Sequence, residues 1–321
     1  MRNSTSASGA PKIGVTGLGK RKMKYRIVAI GEILWDLLPE GKQLGGAPAN
    51  FIYHAHALGA DVRLVSRVGD DGLGREAVAR LKEMGLPTDS VAVDADTPTG
   101  TVSIELGCHG KPSYVIHANA AWDRLAADEA ALAAACQTDV LYFGTLAQRH
   151  EPSRSAIRGL VARAPADAVR ILDLNLRPPL VGREVIETSL ALAGVLKLSD
   201  EELAHLAELI NLQGSTRQQI VELAQRYRLC LVALTRGGKG SLLWRDGEWS
   251  DHPGLATEVR DTVGAGDAFS AAMTLGVLAH WPLDEMNTRA NEVAAYVCSQ
   301  PGGMPPLPPS LRRAFTGNSR R

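Results

Sequence analysis

The sequence predicts an α/β fold, a mostly parallel sheet with helices on both faces. Three observations lead there. Short apolar runs of buried-strand character recur at 25–31, 62–68, 91–93, 140–143, 170–173, 195–198 and 229–234. Helix-like segments separate them repeatedly. Two glycine turns, Gly45-Gly46 and Gly264-Ala265-Gly266, each lead into an apolar helical run. The 321 residues suffice for one large α/β domain or two smaller ones, and no internal repeat divides them.

Residues 1–23 are rich in Ser, Gly and basic residues and read as a disordered tail. Their Gly14–Lys20 stretch does not satisfy the phosphate-loop pattern, and Met23 is a second candidate start. The first strand follows. Asp36 comes just past it, where an α/β sheet places ligand contacts, although a solvated loop Asp has the same pattern. Gly45-Gly46-Ala47-Pro48-Ala49-Asn50 turns into a helix with Phe51, Ala55 and Leu58 on one face. Two glycines let a ligand approach the backbone, and Asn50 can donate to and accept from hydroxyls. A tight packing turn explains the glycines equally. His54 and His56, two apart, share no helix face.

The cluster Gly69-Asp70-Asp71-Gly72-Leu73-Gly74 either touches a ligand or caps a helix over 75–84. Residues 98–121 alternate, turn at 107–111 and return as a β-hairpin that stands off the main sheet. Helices at 128–136 and 152–163 restore the alternation. Asp173, Asn175 and Arg177 cluster past a strand end, as anion contacts or as an ion-pair network. Ser199 and Glu202 have capping-box spacing. Thr235 to Ser241 form a hairpin-like loop into the next strand. After residue 303 the chain is Pro-rich, then basic, and reads as frayed, with 311–321 as its tail.

Lys+Arg and Asp+Glu number 35 each, so the net charge is zero, and 45% of residues are apolar. That balance argues against nucleic-acid and membrane-surface partners. Cys108, Cys136, Cys230 and Cys298 are scattered, as free thiols of a reducing cytoplasm are. No apolar run is long enough to span a bilayer, and the N-terminus lacks the apolar core of a secretion signal.

The stretch Asp261-Thr262-Val263-Gly264-Ala265-Gly266-Asp267-Ala268-Phe269 carries the most chemistry. Its glycines allow a tight turn with converging N–H groups, and the helix it opens favours negative charge at its start. Asp267 at its mouth is placed as a base beside an anion hole, or as a helix cap.

Together these stretches resemble the PfkB family of ribokinase-like sugar kinases. Residues 45–50 through 69–74 look like its first signature and 261–269 like its second. Gly31 to Pro39 with the Gly-Gly-Ala-Pro-Ala-Asn turn is most similar to bacterial fructokinases. The likeness covers about residues 25–310. It implies a three-layer α/β/α kinase domain over 24–310, with a small β lid from about 33–44 and 98–121. By position it implies that Asp267 is the base and that the amides of Gly264, Ala265 and Gly266 form the anion hole. Asp36, Gly45, Gly46 and Asn50 would hold the sugar, and Arg177 would contact phosphate or sugar. Thr235, Gly237 and Gly240 match nucleotide-loop positions. Ser199 and Glu202 stand where the family often has Asn-x-x-Glu, organising phosphate and Mg²⁺ through water; Ser for Asn is a departure. Asp261, Val263 and Gly302 correspond to a K⁺ site, with Pro306 near the position of a hydroxyl ligand in ribokinase.

The implied activity is ATP-dependent phosphorylation of a sugar, fructose to fructose 6-phosphate, with 2-keto-3-deoxygluconate kinase or ribokinase as neighbouring readings. A non-catalytic sugar or nucleotide sensor on the same fold is the alternative of a different class. A dinucleotide oxidoreductase is excluded, because G-x-G-x-x-G does not follow the first strand. The implied partners are sugar and ATP, and the exposed hairpin edge of the lid invites a homodimer.

Overall fold

The computed structural model describes residues 24–39, 41–106 and 112–316. The expectations for 1–23, for the turn at 107–111 with Cys108, and for 317–321 lie outside them.

In chain order, β1 (Arg26–Ile30) is followed by β2 (Leu34–Leu38), β3 (Gly41–Gly45) and α1 (Ala47–Ala57). Then come β4 (Asp61–Gly69), α2 (Gly72–Glu83), β5 (Val91–Asp94), β6 (Gly100–Leu106) and β7 (Pro112–Ile116). The alternating half runs α3 (Glu129–Cys136), β8 (Val140–Gly144), α4 (Ser153–Arg163), β9 (Val169–Asp173), α5 (Arg183–Leu192) and β10 (Val195–Ser199). It continues with α6 (Asp200–Ile210), α7 (Thr216–Tyr227), β11 (Leu231–Thr235), β12 (Ser241–Arg245) and β13 (Glu248–His252). The chain closes with α8 (Ala265–Leu278), α9 (Leu283–Cys298) and α10 (Pro309–Thr316).

Among the described residues two sheets form. The larger has the order β13-β12-β11-β10-β9-β8-β1-β4-β5 and is parallel except for the β11-β12-β13 meander. Period-two alternation splits its side chains between two apolar layers. Val28, Ile30, Leu141, Phe143, Leu196 and Leu198 pack with the helices α3 to α7. Ile27, Ala29, Val62, Leu64, Tyr142 and Val195 pack with α1, α2, α8 and α9. Strands buried on both faces read as continuous apolar runs, which is why the sequence displays them.

The smaller sheet has the order β3-β2-β6-β7. Its inner pair is parallel, with Leu34 opposite Gly100. Asp36 therefore lies on a strand of this lid, opposite Gln43 of β3, and not in a solvated loop. The lid meets the body where Arg149 donates to the His117 carbonyl at 2.7 Å and to both carboxylate oxygens of Asp123.

Three local expectations shift. The helix expected over 75–84 starts at Gly72, because Asp71 accepts from the Gly74 N–H at 2.7 Å as its N-cap. Residues 311–316 belong to α10 instead of a frayed tail, and Phe315 packs on Trp281 at 5.2 Å. The cluster past β9, open between anion contacts and an ion-pair network, separates: Asp173 is buried in the sheet and paired with Lys197, whereas Arg177 is exposed and donates to the Leu176 carbonyl.

Candidate active site

Asn50 and Lys197 meet the start of α8 at the C-terminal end of the parallel strands, the end where open α/β sheets bind ligands. The turn into α8 is built first. Gly264 has φ 74° and is the N-cap; a Cβ there would sit 2.4 Å from the Gly303 carbonyl oxygen. Asp261 braces this contact. Its Oδ1 accepts from the Val263 N–H and its Oδ2 from the Gly302 N–H, both at 3.0 Å. No side chain caps α8; the Ala265 N–H makes a long 3.4 Å bond to the Thr262 carbonyl, and the N–H groups that follow in the first turn point out of the helix start, where an anion is favoured.

Asp267, the third residue of α8, does not cap its helix. Its Oδ2 accepts from Asn50 Nδ2 at 2.8 Å. The carboxyl is pushed up to about 6, first by burial, then by Asp173; Lys197, the Asn50 hydrogen bond and Arg177 oppose the rise. Gly264→Ala is expected to lose activity by more than about tenfold, because the left-handed backbone and the Gly303 contact both resist a methyl group. Steady-state turnover and thermal unfolding of the variant check it.

Asn50 reaches Asp267 because α1 starts against the end of β1. Gly46 has φ 107°, and a Cβ would meet the Glu32 carbonyl at 2.4 Å. The packing-turn reading therefore holds for Gly46, while Asn50 turns to the site. Asn50 Oδ1 is buried with no partner, an acceptor left for a hydroxyl. One turn on, His54 Nε2 donates to the Gly303 carbonyl at 2.9 Å, and burial holds the ring neutral, near 4. His56 sits elsewhere on the helix, as the spacing predicts.

Glu32 escaped the sequence reading. It is 3% exposed, and its Oε1 accepts from the Ala47 N–H at 3.2 Å. Burial raises it to about 7, with Asp267 adding to the rise and the Glu32 and Ala47 amides and Arg177 opposing it. A raised carboxyl stabilises the fold below the ordinary Glu value of 4.5 and loses that contribution as pH rises through about 7. Glu32→Gln is accordingly expected to gain stability relative to the parent as pH rises from roughly 5 to 8, by about 2 kcal/mol. Thermal unfolding across that range reads the difference.

Asp36 projects over Gly45, where a Cβ would lie 2.8 Å from its Oδ2. Its carboxyl is raised to about 6 by burial and by Asp261, against the pull of Arg177. Arg177 thus acts at once on Asp36, Glu32 and Asp267. Gln43 of the lid approaches the Gly302 loop, with Oε1 3.6 Å from a Cβ built on Gly302.

The neighbouring strand ends form a second half. Ser199 and Thr235 are register partners on β10 and β11. Ser199 Oγ accepts from the Glu202 N–H at 3.1 Å, and Glu202 Oε2 accepts from the Ser199 N–H at 2.7 Å, a complete capping box. Glu202 Oε1 takes the Leu176 N–H at 2.6 Å, tying the loop after β9 to α6. Gly237 has φ 56° with open space where a side chain would stand, whereas a Cβ on Gly240 would lie 2.0 Å from the His252 carbonyl. Gly240 is there to pack; Gly237 leaves room.

Beneath α8, Asp173 is 1% exposed. Its Oδ1 accepts from Lys197 Nζ at 3.1 Å, and its Oδ2 from Tyr142 Oη at 3.0 Å and Ser270 Oγ at 3.1 Å. Lys197 is hidden in the sequence inside an apolar strand run. Burial pulls its ammonium down, but Asp173, Glu202 and Asp267 more than offset this and hold it above its ordinary value. Among the described residues no group of three His, Cys, Asp or Glu side chains converges as a metal cage.

Comparison with known proteins gives the same neighbourhood. The fructokinase of Klebsiella pneumoniae is 31% identical over 303 residues, spanning 89% of this chain and 97% of its own. The solved structure of Vibrio cholerae fructokinase with fructose, ADP and calcium bound superposes with a TM-score of 0.76 at 25% identity, over 91% of this chain and 98% of that one. A sugar kinase of Pyrococcus horikoshii in complex with ATP superposes with a TM-score of 0.73 at 28% identity, over 87% and 94%. Among the described residues no helix is long and apolar enough to cross a membrane. The family model for pfkB family carbohydrate kinases matches residues 40–309, and the chain belongs to that family.

Proposed function

We propose that the protein transfers the γ-phosphoryl group of ATP to a hydroxyl of fructose, giving fructose 6-phosphate and ADP. The carrying observation is the Asp267 carboxylate, held by Asn50 at the uncapped start of α8. Asp267 takes the proton from the acceptor hydroxyl as that oxygen bonds to the γ-phosphorus and the bond to the β,γ-bridging oxygen breaks. The amides of Gly264, Ala265 and Gly266 receive the charge of the transferring group. Asp36, Gly45, Gly46 and Asn50 fix the sugar, which supplies the proximity contribution. Arg177 meets phosphate or sugar from the rim. Ser199, Glu202, Thr235, Gly237 and Gly240 line the nucleotide side.

Both Glu202 oxygens already accept amide hydrogens, so the donor set fits a Mg²⁺ carried on phosphates and water near Ser199 and Glu202. Bound there, the ion would neutralise phosphate charge. K⁺ at Asp261, Val263 and Gly302 would act on the brace between the two loops that form the anion-receiving turn. Fructose is favoured over 2-keto-3-deoxygluconate and ribose by the likeness to the Klebsiella fructokinase and to the fructose-bound Vibrio structure. The same reading includes a cytoplasmic location and a homodimer through the edge strands of the lid, which sedimentation would detect.

The deciding experiment is ADP release with MgATP and fructose, ribose, 2-keto-3-deoxygluconate, glucose or adenosine, each in K⁺ and in Na⁺. A kcat/KM for fructose at least about tenfold above the rest is the expected result. A preference for another acceptor overturns the substrate. ATP binding with no ADP release for any acceptor points first to an acceptor outside this set and second to the sensor reading.

A further inference from the structure

We propose that the buried Asp173–Lys197 pair is a positioning element of phosphoryl transfer, which supports the anion-receiving turn of α8 from behind and sets the proton affinity of Asp267. The inference rests on the reading of Asp267 as the base.

The placement of Lys197 is the first argument. Its ammonium lies 3.1 Å from where a Cβ on Gly266 would stand, directly against the first turn of α8. A helix start carries partial positive charge, so a lysine there opposes the local field. Stability alone does not call for it, since a buried ion pair is often no better than an apolar pair of the same shape. A site that must receive a phosphoryl anion gains from both positive charges together.

The pair is also oriented. Tyr142 and Ser270 hold Asp173 from one side, and Lys197 holds it from the other. Ser270 stands one turn after Gly266 on α8, and its Oγ lies 3.0 Å from the Gly266 carbonyl. Tyr142 stacks on Phe51, with ring centroids 3.8 Å apart, on the helix that carries Asn50. The pair therefore joins β8, β9 and β10 to both helices that hold the Asn50–Asp267 hydrogen bond. Asp173 repels a charge on Asp267 and Lys197 attracts it; Glu32, Arg177 and Tyr142 also face this cluster, and Glu202 acts on Lys197 from the start of α6.

The test is the pH profile of kcat for the parent, Lys197→Met, Lys197→Arg, Asp173→Asn and the Lys197→Met/Asp173→Asn double variant. Lys197→Met should move the acid limb up by about one pH unit and cut turnover at neutral pH roughly tenfold. Lys197→Arg should recover most of this. Asp173→Asn should move the limb down, and the double variant should return it close to the parent position. Opposed shifts are not what a purely structural role gives. Singles that lose amplitude with a fixed limb overturn the proposal. If Lys197→Met does not fold, the Asp173→Asn profile decides in the same way. An acid limb that persists in Asp267→Asn overturns the base reading instead. A limb that vanishes with Asp267 but ignores the pair overturns this inference alone.

Discussion

Asp267→Asn is expected to lower kcat about a thousandfold while sugar and nucleotide affinity change only a few-fold. The amide keeps the shape of the side chain and a partner for Asn50 but cannot take a proton. Single-turnover phosphorylation alongside equilibrium binding separates the two effects. Turnover near the parent rate would remove Asp267 from the chemistry. The pH dependence has a definite sign. The base must be ionised, so kcat should rise through about pH 6 and level off above it. Stability runs the other way, because a carboxyl raised from 3.8 contributes below that value and loses its contribution as pH passes about 6. Above neutrality Asp267→Asn should therefore be the more stable protein, by about 1–2 kcal/mol, although it is nearly inactive.

Asp36→Ala is expected to raise the sugar KM about a hundredfold with a smaller fall in kcat. A charged acceptor hydrogen-bonded to hydroxyls contributes about 1.5–3 kcal/mol, and its loss leaves those hydroxyls unpaired in a partly buried site. Asp36→Asn should recover part of the loss. The KM for ATP should stay unchanged, because Asp36 belongs to the lid. Initial rates with each substrate varied in turn provide the check, and an unchanged sugar KM would take Asp36 out of the sugar site.

The frame of the fold is readable wherever strands are buried on both faces, because a short, unbroken apolar run between turn residues fits a doubly covered strand better than a half-exposed one. Turns with strict local chemistry are equally plain: the Ser199–Glu202 box depends only on residues three apart. Side chains whose meaning lies in a distant partner are not. Lys197 is unremarkable until β9 brings Asp173 beside it, and Glu32 until α1 begins over it. Helix α9 is hard to see for a related reason. It buries Asn287 and Asn291 toward Ser241 and Ser250, about forty residues away, so its apolar stripe is interrupted by polar residues. Asp36 has the pattern of a loop residue because the lid strand that carries it is half exposed and weakly patterned.

The lid is stitched from two separate excursions of the chain, β2-β3 leaving after β1 and β6-β7 leaving after β5, joined through the parallel β2–β6 pair. Asp267, the start of α8 and the polar knot beneath it all belong to the body. Heredity can therefore edit the two inventories apart. On the proposed reading, a lineage can alter the Asp36 side of the acceptor site by changing two short excursions, while Asn50 and Asp267 stay with the body.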